Sequence, residues 1–338
     1  MRVVVPCGQK KTYTALCVEV TDQKPNIGVK NIKCIYSVLD DMPMLLPQQL
    51  KLWQWMADYY MCPLGDIYKA ALPAGLKAED GYRPKTETYV GLTEKFRDEM
   101  ALNIALDMVS RYEKLQKALA GYLELSHWAE ISGTTIPDDI KEITQTELCN
   151  VTHCTTPTVK SLVKRGILEI YQKEVGRLNT DGEFAPQNAK LLNEAQQEAY
   201  NQVLMQFMKK NVVLLHGVTS SGKTEIYIHL ILKALQDHKQ VLFLLPEIAL
   251  TVQIMERLQR VFGSRLGIYH SKYSDAERVE IWKKQVSVCP YDIIIGARSA
   301  ALLPFKNLGL VIIDEEHETS YKQQDPAPRY HARSAAIM

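Results

Sequence analysis

The chain has 338 residues, of which 46% are hydrophobic and 23% are charged, and its formal net charge is +1. This is the composition of an ordinary soluble globular protein with room for two or three domains. Because the net charge is close to zero, a basic surface that binds nucleic acid would have to be confined to one part of the molecule. The chain has neither an apolar run of about 18 residues nor the layout of a signal peptide, so we expect a cytoplasmic protein without a membrane partner.

The N-terminal region predicts a small β-domain followed by a helix. Residues 2–36 are rich in Val, Thr, Ile and Tyr and are interrupted by Gly and Pro, which favours short strands joined by turns. Residues 47–61 place apolar side chains at helical spacing on one face. We assign Trp53 and Tyr60 of that face to the core rather than to a ligand platform.

The next segment predicts a winged helix. Helical stretches at 115–125 and 140–149 lead to a short amphipathic helix at 159–164, which Gly166 ends before a strand at 167–171. A local excess of basic residues surrounds the short helix, and this charge suits DNA phosphates and a solvated helix face equally well. The basic residues are Lys160, Lys164, Arg165, Lys173 and Arg177.

The seven cysteines form no Cys-x-x-Cys pair. Cys149, His153 and Cys154 lie close together in the sequence, but three candidate ligands are weak support for a zinc site. We therefore assign these residues structural roles and expect the cysteines to be reduced.

From residue 191 onward, strands and helices alternate as a parallel α/β sheet requires. An apolar run at 212–216 predicts a buried strand, residues 225–236 predict a helix, and a glycine-bounded loop joins them. The loop fits the phosphate-binding pattern G-x-x-x-x-G-K-[ST] with Gly217, Val218, Thr219, Ser220, Ser221, Gly222, Lys223 and Thr224. Its backbone N–H groups would face the β-phosphate, Lys223 would reach the β- and γ-phosphates, and the Thr224 hydroxyl would ligate Mg²⁺.

A second apolar run at 308–313 ends in Asp314, Glu315, Glu316 and His317. A buried strand that delivers a carboxylate to its C-terminal end matches the edge where ligands bind in parallel α/β sheets. Asp314 suits the Mg²⁺ shell, and Glu315 suits a base that orients the attacking water. An acidic helix cap is the alternative, but it does not explain the upstream P-loop. The two motifs together predict a nucleoside triphosphatase.

Further segments stand in the order and spacing of superfamily 2 helicase motifs, namely 217–224, 245–251, 270–271, 295–300 and 314–317. The resemblance is narrowed to one family within this superfamily by residues 320–324 and 329–333. It is extended to the N-terminus by residues 3–8 and 57–60. On these segments the chain resembles the PriA (primosomal protein N′) family of bacterial replication restart helicases.

The resemblance implies an α/β protein in three parts. Residues 1–105 would form a small β-rich domain that is similar to a 3′-DNA-end-binding domain and lacks its first strand. Residues 106–180 would form the winged helix. Residues 187–338 would form an incomplete RecA-like helicase lobe with a parallel sheet and the ATP site.

The family pattern implies an ATP-dependent 3′→5′ DNA helicase that recognises stalled forks and initiates primosome assembly. Its cofactors would be ATP and Mg²⁺, and its partners forked DNA, single-stranded DNA, primosome proteins and the single-stranded-DNA-binding protein. Gln196 resembles the glutamine that reads adenine, and His317 would couple hydrolysis to DNA.

The resemblance also implies residues that contact DNA. Gly8 matches a position that lines the family's 3′-end pocket, and residues 321–333 resemble an aromatic-rich loop that senses single-stranded DNA. In such a loop, aromatic faces stack on bases and cations meet phosphates. The loop residues with that chemistry are Tyr321, Lys322, Arg329, Tyr330 and Arg333.

Departures from the family pattern predict a fragment. The sequence lacks the second lobe with its arginine finger, the cysteine-rich zinc site and the C-terminal domain, and Cys7 stands where an aromatic residue is usual. We therefore expect no metal site other than that for Mg²⁺, weak or no ATP turnover, and no unwinding by this chain alone. The alternative hypothesis is a fork-DNA-binding module with an inert ATPase lobe.

Overall fold

The computed structural model describes residues 1–7, 11–23, 32–77, 82, 84–128, 140–174, 182–218, 221–246, 252–270 and 273–338. The chain divides into two compact units. The first unit combines Met1–Arg83 with Arg177–Met338, and the second is Pro84–Gly176. In the described part of the chain, no helix combines the length and the apolar character needed to cross a membrane.

The first unit begins with a small antiparallel sheet. Its strands are β1 (Arg2–Cys7), β2 (Lys11–Leu16) and β3 (Ser37–Val38), in the order β2-β1-β3. The Arg2 guanidinium donates to Asp40 Oδ1 at 2.6 Å and to the Leu76 carbonyl at 3.0 Å. The bond to Leu76 attaches the sheet to the helical segment that follows it. The three strands confirm the predicted β-rich N-terminal region.

Three helices follow the small sheet: α1 (Pro47–Tyr59), α2 (Leu64–Ala71) and α3 (Ala74–Lys77). Their apolar faces lie in the same hydrophobic core as the large sheet of this unit. The buried members from the helices are Trp53, Met56, Ala57, Ile67, Ala71 and Leu76, and those from the later part of the chain include Leu242, Leu244, Trp282 and Ile294. The assignment of Trp53 to the core is therefore confirmed, and Tyr60 is half-buried against the same core.

Polar bonds join the helices to the same later part of the chain. The Trp282 indole N–H donates to the Met44 carbonyl at 2.9 Å, and the Gln49 amide donates to the Leu302 carbonyl at 2.9 Å. The Asp275 carboxylate accepts from the backbone N–H groups of Ala74 and Gly75. The bonds of Trp282 and Gln49 are buried, so their polar groups are satisfied only while the helices stay packed on the lobe.

The large sheet has four strands: β7 (Gln240–Leu244), β8 (Leu266–Tyr269), β9 (Ile293–Gly296) and β10 (Leu308–Ile313). They are parallel and lie in the order β10-β7-β9-β8. The helices of this region are α8 (Glu194–Phe207), α9 (Lys223–Gln236), α10 (Val252–Phe262), α11 (Asp275–Val286) and α12 (Ala332–Ile337). Every residue of β7 and β9 is buried, as expected for strands covered on both faces.

The second unit has the composition of a winged helix. Its helices are α4 (Glu99–Val109), α5 (Glu113–Leu125), α6 (Gln145–Thr152) and α7 (Thr156–Lys164). Its strands β4 (Thr86–Leu92), β5 (Ile143–Thr144) and β6 (Leu168–Glu174) form an antiparallel sheet in the order β5-β4-β6. Gly166 follows α7 with φ of +70°, so the predicted helix–glycine–strand sequence is confirmed.

Two details of the second unit differ from the sequence-based expectation. The predicted division at residue 105 falls inside α4, whereas the unit begins at Pro84, because β4 pairs with β6 over seven positions and cannot be separated from it. The helix predicted at 140–149 begins only at Gln145, because Ile143 and Thr144 pair with β4.

The strand predicted at 212–216 is not formed among the described residues. Residues 212–218 carry no strand ladder, although Val213 and Leu215 point inward while Val212 and Leu214 are 56% and 74% exposed. Exposure alternates along these residues as it does along a strand, but a strand also needs backbone hydrogen bonds to a neighbouring strand. Among the described residues, β10 is hydrogen-bonded to β7 on one side, and residues 212–216 do not pair with its other side.

We predict that Ile67→Ala destabilises the large sheet as well as the N-terminal helices. Ile67 is fully buried in the shared core, and an Ile→Ala change at such a site costs about 2–5 kcal/mol. Hydrogen exchange of the β7 and β9 amides should therefore accelerate together with exchange in α1. Leu191→Ala is the matched control, because Leu191 is 93% exposed. Unchanged exchange in β7 and β9 would contradict the shared core.

Candidate functional site

The P-loop ends at the N-terminus of α9. Gly222 is the N-cap with φ of +80°, a conformation that glycine adopts without strain, and a Cβ there would collide with the Gln196 amide nitrogen. Lys223 Nζ donates to the carbonyls of Gly217 at 2.8 Å and Val218 at 3.3 Å. The ammonium group is therefore held over the loop, where a phosphate can replace the carbonyl oxygens as its partner.

Part of the predicted loop, Thr219 and Ser220, lies outside the described residues. Ser221 is exposed, and Thr224 is half-buried on the first turn of α9. The free backbone N–H groups of a helix's first turn form a favourable site for an anion. The described residues of the loop thus present the groups that phosphate binding requires.

Gln196 lies beside the P-loop and is engaged at both ends of its amide. Its Oε1 accepts from the Asn193 backbone N–H at 3.0 Å, which forms a capping box at the start of α8. Its Nε2 donates to the Gly222 carbonyl at 3.4 Å. The structure therefore brings Gln196 to the nucleotide loop, and its predicted contact with adenine stays a prediction.

Asp314 follows β10 at the C-terminal edge of the parallel sheet. Its backbone N–H donates to the Leu244 carbonyl at 3.0 Å, which continues the β7–β10 register by one residue. Its Oδ1 accepts from the Tyr227 hydroxyl of α9 at 3.0 Å. One hydrogen bond thus joins the helix that begins at the P-loop to the acidic end of β10.

A second tyrosine meets the backbone of Asp314. The Tyr321 hydroxyl contacts the carbonyl oxygens of Asp314 at 2.7 Å and Leu244 at 3.1 Å. Burial, and then the nearby Asp314 carboxylate, raise the pKa of both Tyr227 and Tyr321 above the ordinary value for tyrosine. Both phenols therefore stay protonated at neutral pH and act as hydrogen-bond donors.

Glu315 has a backbone conformation that side chains rarely adopt. Its φ is +46°, in the left-handed region, and such outliers in non-glycine residues cluster at functional sites. Its carboxylate lies 3.8 Å from His317 Nε2, and the two side chains are 41% and 71% exposed. The two groups predicted to activate water and to couple hydrolysis to DNA are therefore neighbours at an open surface.

The aromatic-rich loop is placed differently from the sequence-based expectation. Tyr321 and Tyr330 are each only 1% exposed, and the Tyr330 hydroxyl donates to the Arg298 carbonyl at 3.3 Å. Arg298 in turn donates to the Lys322 carbonyl at 3.0 Å. These two rings are core residues of the loop and offer no face for a base, so their prediction as DNA contacts is corrected.

The loop's cations lie nearer to solvent but have partners. Arg329 donates to Asp325 at 2.8 Å, and Arg333 donates to Glu316. Lys322 Nζ donates to the Arg329 carbonyl and lies 5.4 Å from the centroid of the Tyr60 ring. Exposed ion pairs of this kind are weak, so the two arginines remain able to exchange their carboxylates for phosphates.

Sequence reasoning missed an aromatic pair on α1, in which Trp55 is half-buried and Tyr59 is exposed. The Trp55 and Tyr59 rings stack with centroids 4.8 Å apart, and Tyr59 is 60% exposed. The neighbouring Tyr60 hydroxyl accepts from the His331 backbone N–H at 3.0 Å, which places the pair beside the aromatic-rich loop. The available signal was an i, i+4 aromatic pair on the helix face opposite to Trp53.

The winged-helix cations differ in their surroundings. Lys160 and Lys164 are exposed on α7, whereas the Arg165 guanidinium lies over the Tyr112 ring at 4.6 Å. The sulfur atoms of Cys149 and Cys154 lie 3.8 Å apart. Gly8, the predicted residue of the 3′-end pocket, lies outside the described residues.

Two side chains are the predicted ligands of a nucleotide-bound Mg²⁺. Across the residues that the structure describes, no group of three or more His, Cys, Asp or Glu side chains is placed to hold a metal ion. Mg²⁺ in nucleotide sites needs only one or two protein ligands, because phosphates and water supply the others. Thr224 and Asp314 are the residues that would hold it.

Comparisons with known proteins identify all three regions of the chain. Family models match a 3′ DNA-binding domain (3′BD) of PriA at residues 1–73, a winged helix domain of PriA helicase from Bacteroidota at 87–175, and a DEAD/DEAH box helicase at 193–336. Together they span nearly the whole chain.

Curated relatives carry the name replication restart protein PriA. The chain is 32% identical to that of Bacillus subtilis, 32% to that of Haemophilus influenzae and 29% to that of Synechocystis. Each alignment covers 99% or 100% of the chain but only 47%, 43% and 46% of the relative, respectively. The chain thus spans less than half the length of these relatives and matches their N-terminal part.

We predict that Tyr330→Ala acts through stability. Removal of a fully buried aromatic ring costs about 3–5 kcal/mol, so chemical denaturation should show a lower free energy of unfolding. Arg329→Ala, at an exposed neighbouring position, should stay within about 0.5 kcal/mol of wild type. Wild-type stability of Tyr330→Ala, together with weaker binding of single-stranded DNA, would restore the base-stacking assignment.

Proposed function

We propose a function from one premise: the chain belongs to the PriA family of superfamily 2 replication restart helicases. The chain is the nucleotide-binding and DNA-binding part of an ATP-dependent 3′→5′ DNA helicase that recognises stalled forks. The observation that carries this proposal is the hydrogen bond from Tyr227 to Asp314, because it joins the P-loop helix to the acidic strand end.

The nucleotide chemistry follows from that arrangement. Lys223 and the N-terminus of α9 hold the phosphates, and Thr224 and Asp314 hold Mg²⁺. When bound, Mg²⁺ neutralises the charge that develops between the β- and γ-phosphates. Glu315 orients the attacking water and accepts its proton. Gln196 reads adenine, which its bond to the Gly222 carbonyl of the P-loop supports.

DNA binding is divided among three surfaces in this proposal. The N-terminal domain contacts a 3′ end through the region of Gly8, and the winged helix contacts duplex phosphates through α7. The loop at 321–333 contributes Lys322, Arg329 and Arg333, supported by their position near solvent. Readout of phosphates suits a protein that recognises the structure of a fork rather than its sequence.

The partners of the longer relatives are proposed at family level. We assign initiation of primosome assembly, with primosome proteins and the single-stranded-DNA-binding protein as partners, to the protein of which this chain forms a part. The competing proposal is a fork-binding module with an inert ATPase lobe. Measurement of the ATPase rate with and without forked DNA separates the two: hydrolysis that rises above background with DNA, even at the low rate expected of this chain, supports the first, and hydrolysis that stays at background supports the second.

We predict that Lys223→Ala weakens Mg·ADP binding at least tenfold. The change removes a charge-assisted contact to phosphate worth roughly 1.5–3 kcal/mol. Lys233→Ala is the matched control, since Lys233 lies on the same helix but is paired with Asp237 at 3.0 Å. Calorimetric titration of the three proteins checks this, and equal affinities would reject the nucleotide site.

We predict that the double change Lys160→Ala and Lys164→Ala flattens the salt dependence of fork binding. Each phosphate neutralised on duplex DNA contributes about 0.9 to the slope of log K against log salt, so the slope should fall by about two. The control removes Lys114 and Lys117, which are exposed on α5 of the same unit. An equal effect of both double changes would indicate a general charge effect and reject α7 as the contact.

A further inference from the structure

Asp314 is held from two sides by buried tyrosines that come from different elements. Tyr227 lies on α9 and is 7% exposed. Tyr321 ends a short 3₁₀ helix (Thr319–Tyr321) at the start of the aromatic-rich loop and is 1% exposed. Both hydroxyl groups reach Asp314, at 3.0 Å and 2.7 Å. Buried hydroxyl groups that converge on one residue restrict both its backbone and its side chain.

The two tyrosines act on different atoms. The Tyr321 hydroxyl bonds two backbone carbonyl oxygens, those of Asp314 and Leu244, so it fixes the path of the backbone. Tyr227 donates to Oδ1 of the carboxylate, so it fixes the rotation of the side chain. The Tyr227 ring is itself held edge-on to Phe243 of β7, with centroids 5.5 Å apart.

Tyr227 is also tied to the phosphate end of the site. It lies three residues after Thr224 on α9, so the two side chains are neighbours along one helix. The residue whose hydroxyl suits the Mg²⁺ shell and the residue that orients the Asp314 carboxylate therefore share a rigid support. Loss of such support around a metal ligand typically lowers metal affinity or activity by about 10–100-fold.

We propose that Tyr227 is the positioning residue for the magnesium-binding carboxylate. Its hydroxyl occupies one oxygen of Asp314, which leaves the other oxygen to the Mg²⁺ shell and prevents free rotation of the carboxylate. This inference rests on the proposed nucleotide site. It assigns to Tyr227 a role in metal affinity, distinct from any role in phosphate binding.

The test measures how binding of a fluorescent N-methylanthraniloyl ADP to the full 338-residue chain depends on free Mg²⁺. Tyr227→Phe should raise the Mg²⁺ concentration at half-maximal binding about tenfold or more, by analogy with other partners of metal ligands. Binding in excess EDTA should be unchanged, because Tyr227 does not reach the phosphates. Tyr330→Phe is the matched control: it removes another buried tyrosine hydroxyl, which donates to the Arg298 carbonyl, so it should lower thermal stability while the Mg²⁺ midpoint stays within about twofold.

A double change separates positioning from general damage. In an Asp314→Asn background the carboxylate is gone, so adding Tyr227→Phe should not alter nucleotide affinity at saturating Mg²⁺ further. An unshifted Mg²⁺ midpoint in Tyr227→Phe, or an equal shift in Tyr330→Phe, would overturn the proposal. If Lys223→Ala also binds like wild type, the nucleotide site itself is rejected. If Lys223→Ala loses binding while Tyr227→Phe behaves as wild type, only the positioning role is rejected.

Discussion

The hydrogen bonds that converge on Asp314 are the constraint on which the rest of the site depends. Its N–H continues the ladder from β7, its carboxylate accepts from α9, and its carbonyl accepts from the aromatic-rich loop. A single residue thus fixes the positions of a strand end, the P-loop helix and the loop. Because each of these groups is buried or half-buried, loss of any one bond leaves an unsatisfied polar group. The geometry around the acidic motif is therefore determined in advance of any ligand.

The aromatic-rich loop connects this site to the N-terminal domain. Tyr321 meets Asp314 at one end of the loop, and the His331 backbone donates to Tyr60 at the end of α1 at the other. Arg298 spans the interior of the loop through its bonds to the Lys322 and Tyr330 positions. The tyrosines serve as internal supports, and the stacked Trp55–Tyr59 pair lies beside them. A displacement of the loop would therefore disturb hydrogen bonds both at the end of α1 and at the end of β10.

The shared core of the first unit holds its N-terminal helices and its parallel sheet together. α1, α2 and α3 bury their apolar faces against residues of β7 and α11. Asp275 accepts from the backbone of α3, and Trp282 donates to the Met44 carbonyl just before α1. Burial of this kind opposes independent movement, since separation would expose large apolar side chains and unpaired carbonyls to water. The N-terminal region and the helicase lobe therefore share one core within the first unit, and Pro84–Gly176 packs around a core of its own.

The sequence by itself determined the parallel sheet, the winged helix, the P-loop and the acidic strand end, because each depends on local spacing of apolar, glycine and charged residues. Gly222 and Asp314 are identified by such spacing alone. Only the tertiary structure decided that Tyr321 and Tyr330 are buried, that Tyr227 holds the Asp314 carboxylate, and that Ile67 shares a core with β7. It also left residues 212–216 outside the described sheet. The physical reason is that burial and strand pairing depend on partners distant in the chain, and an aromatic side chain's local pattern is the same whether it faces DNA or the core.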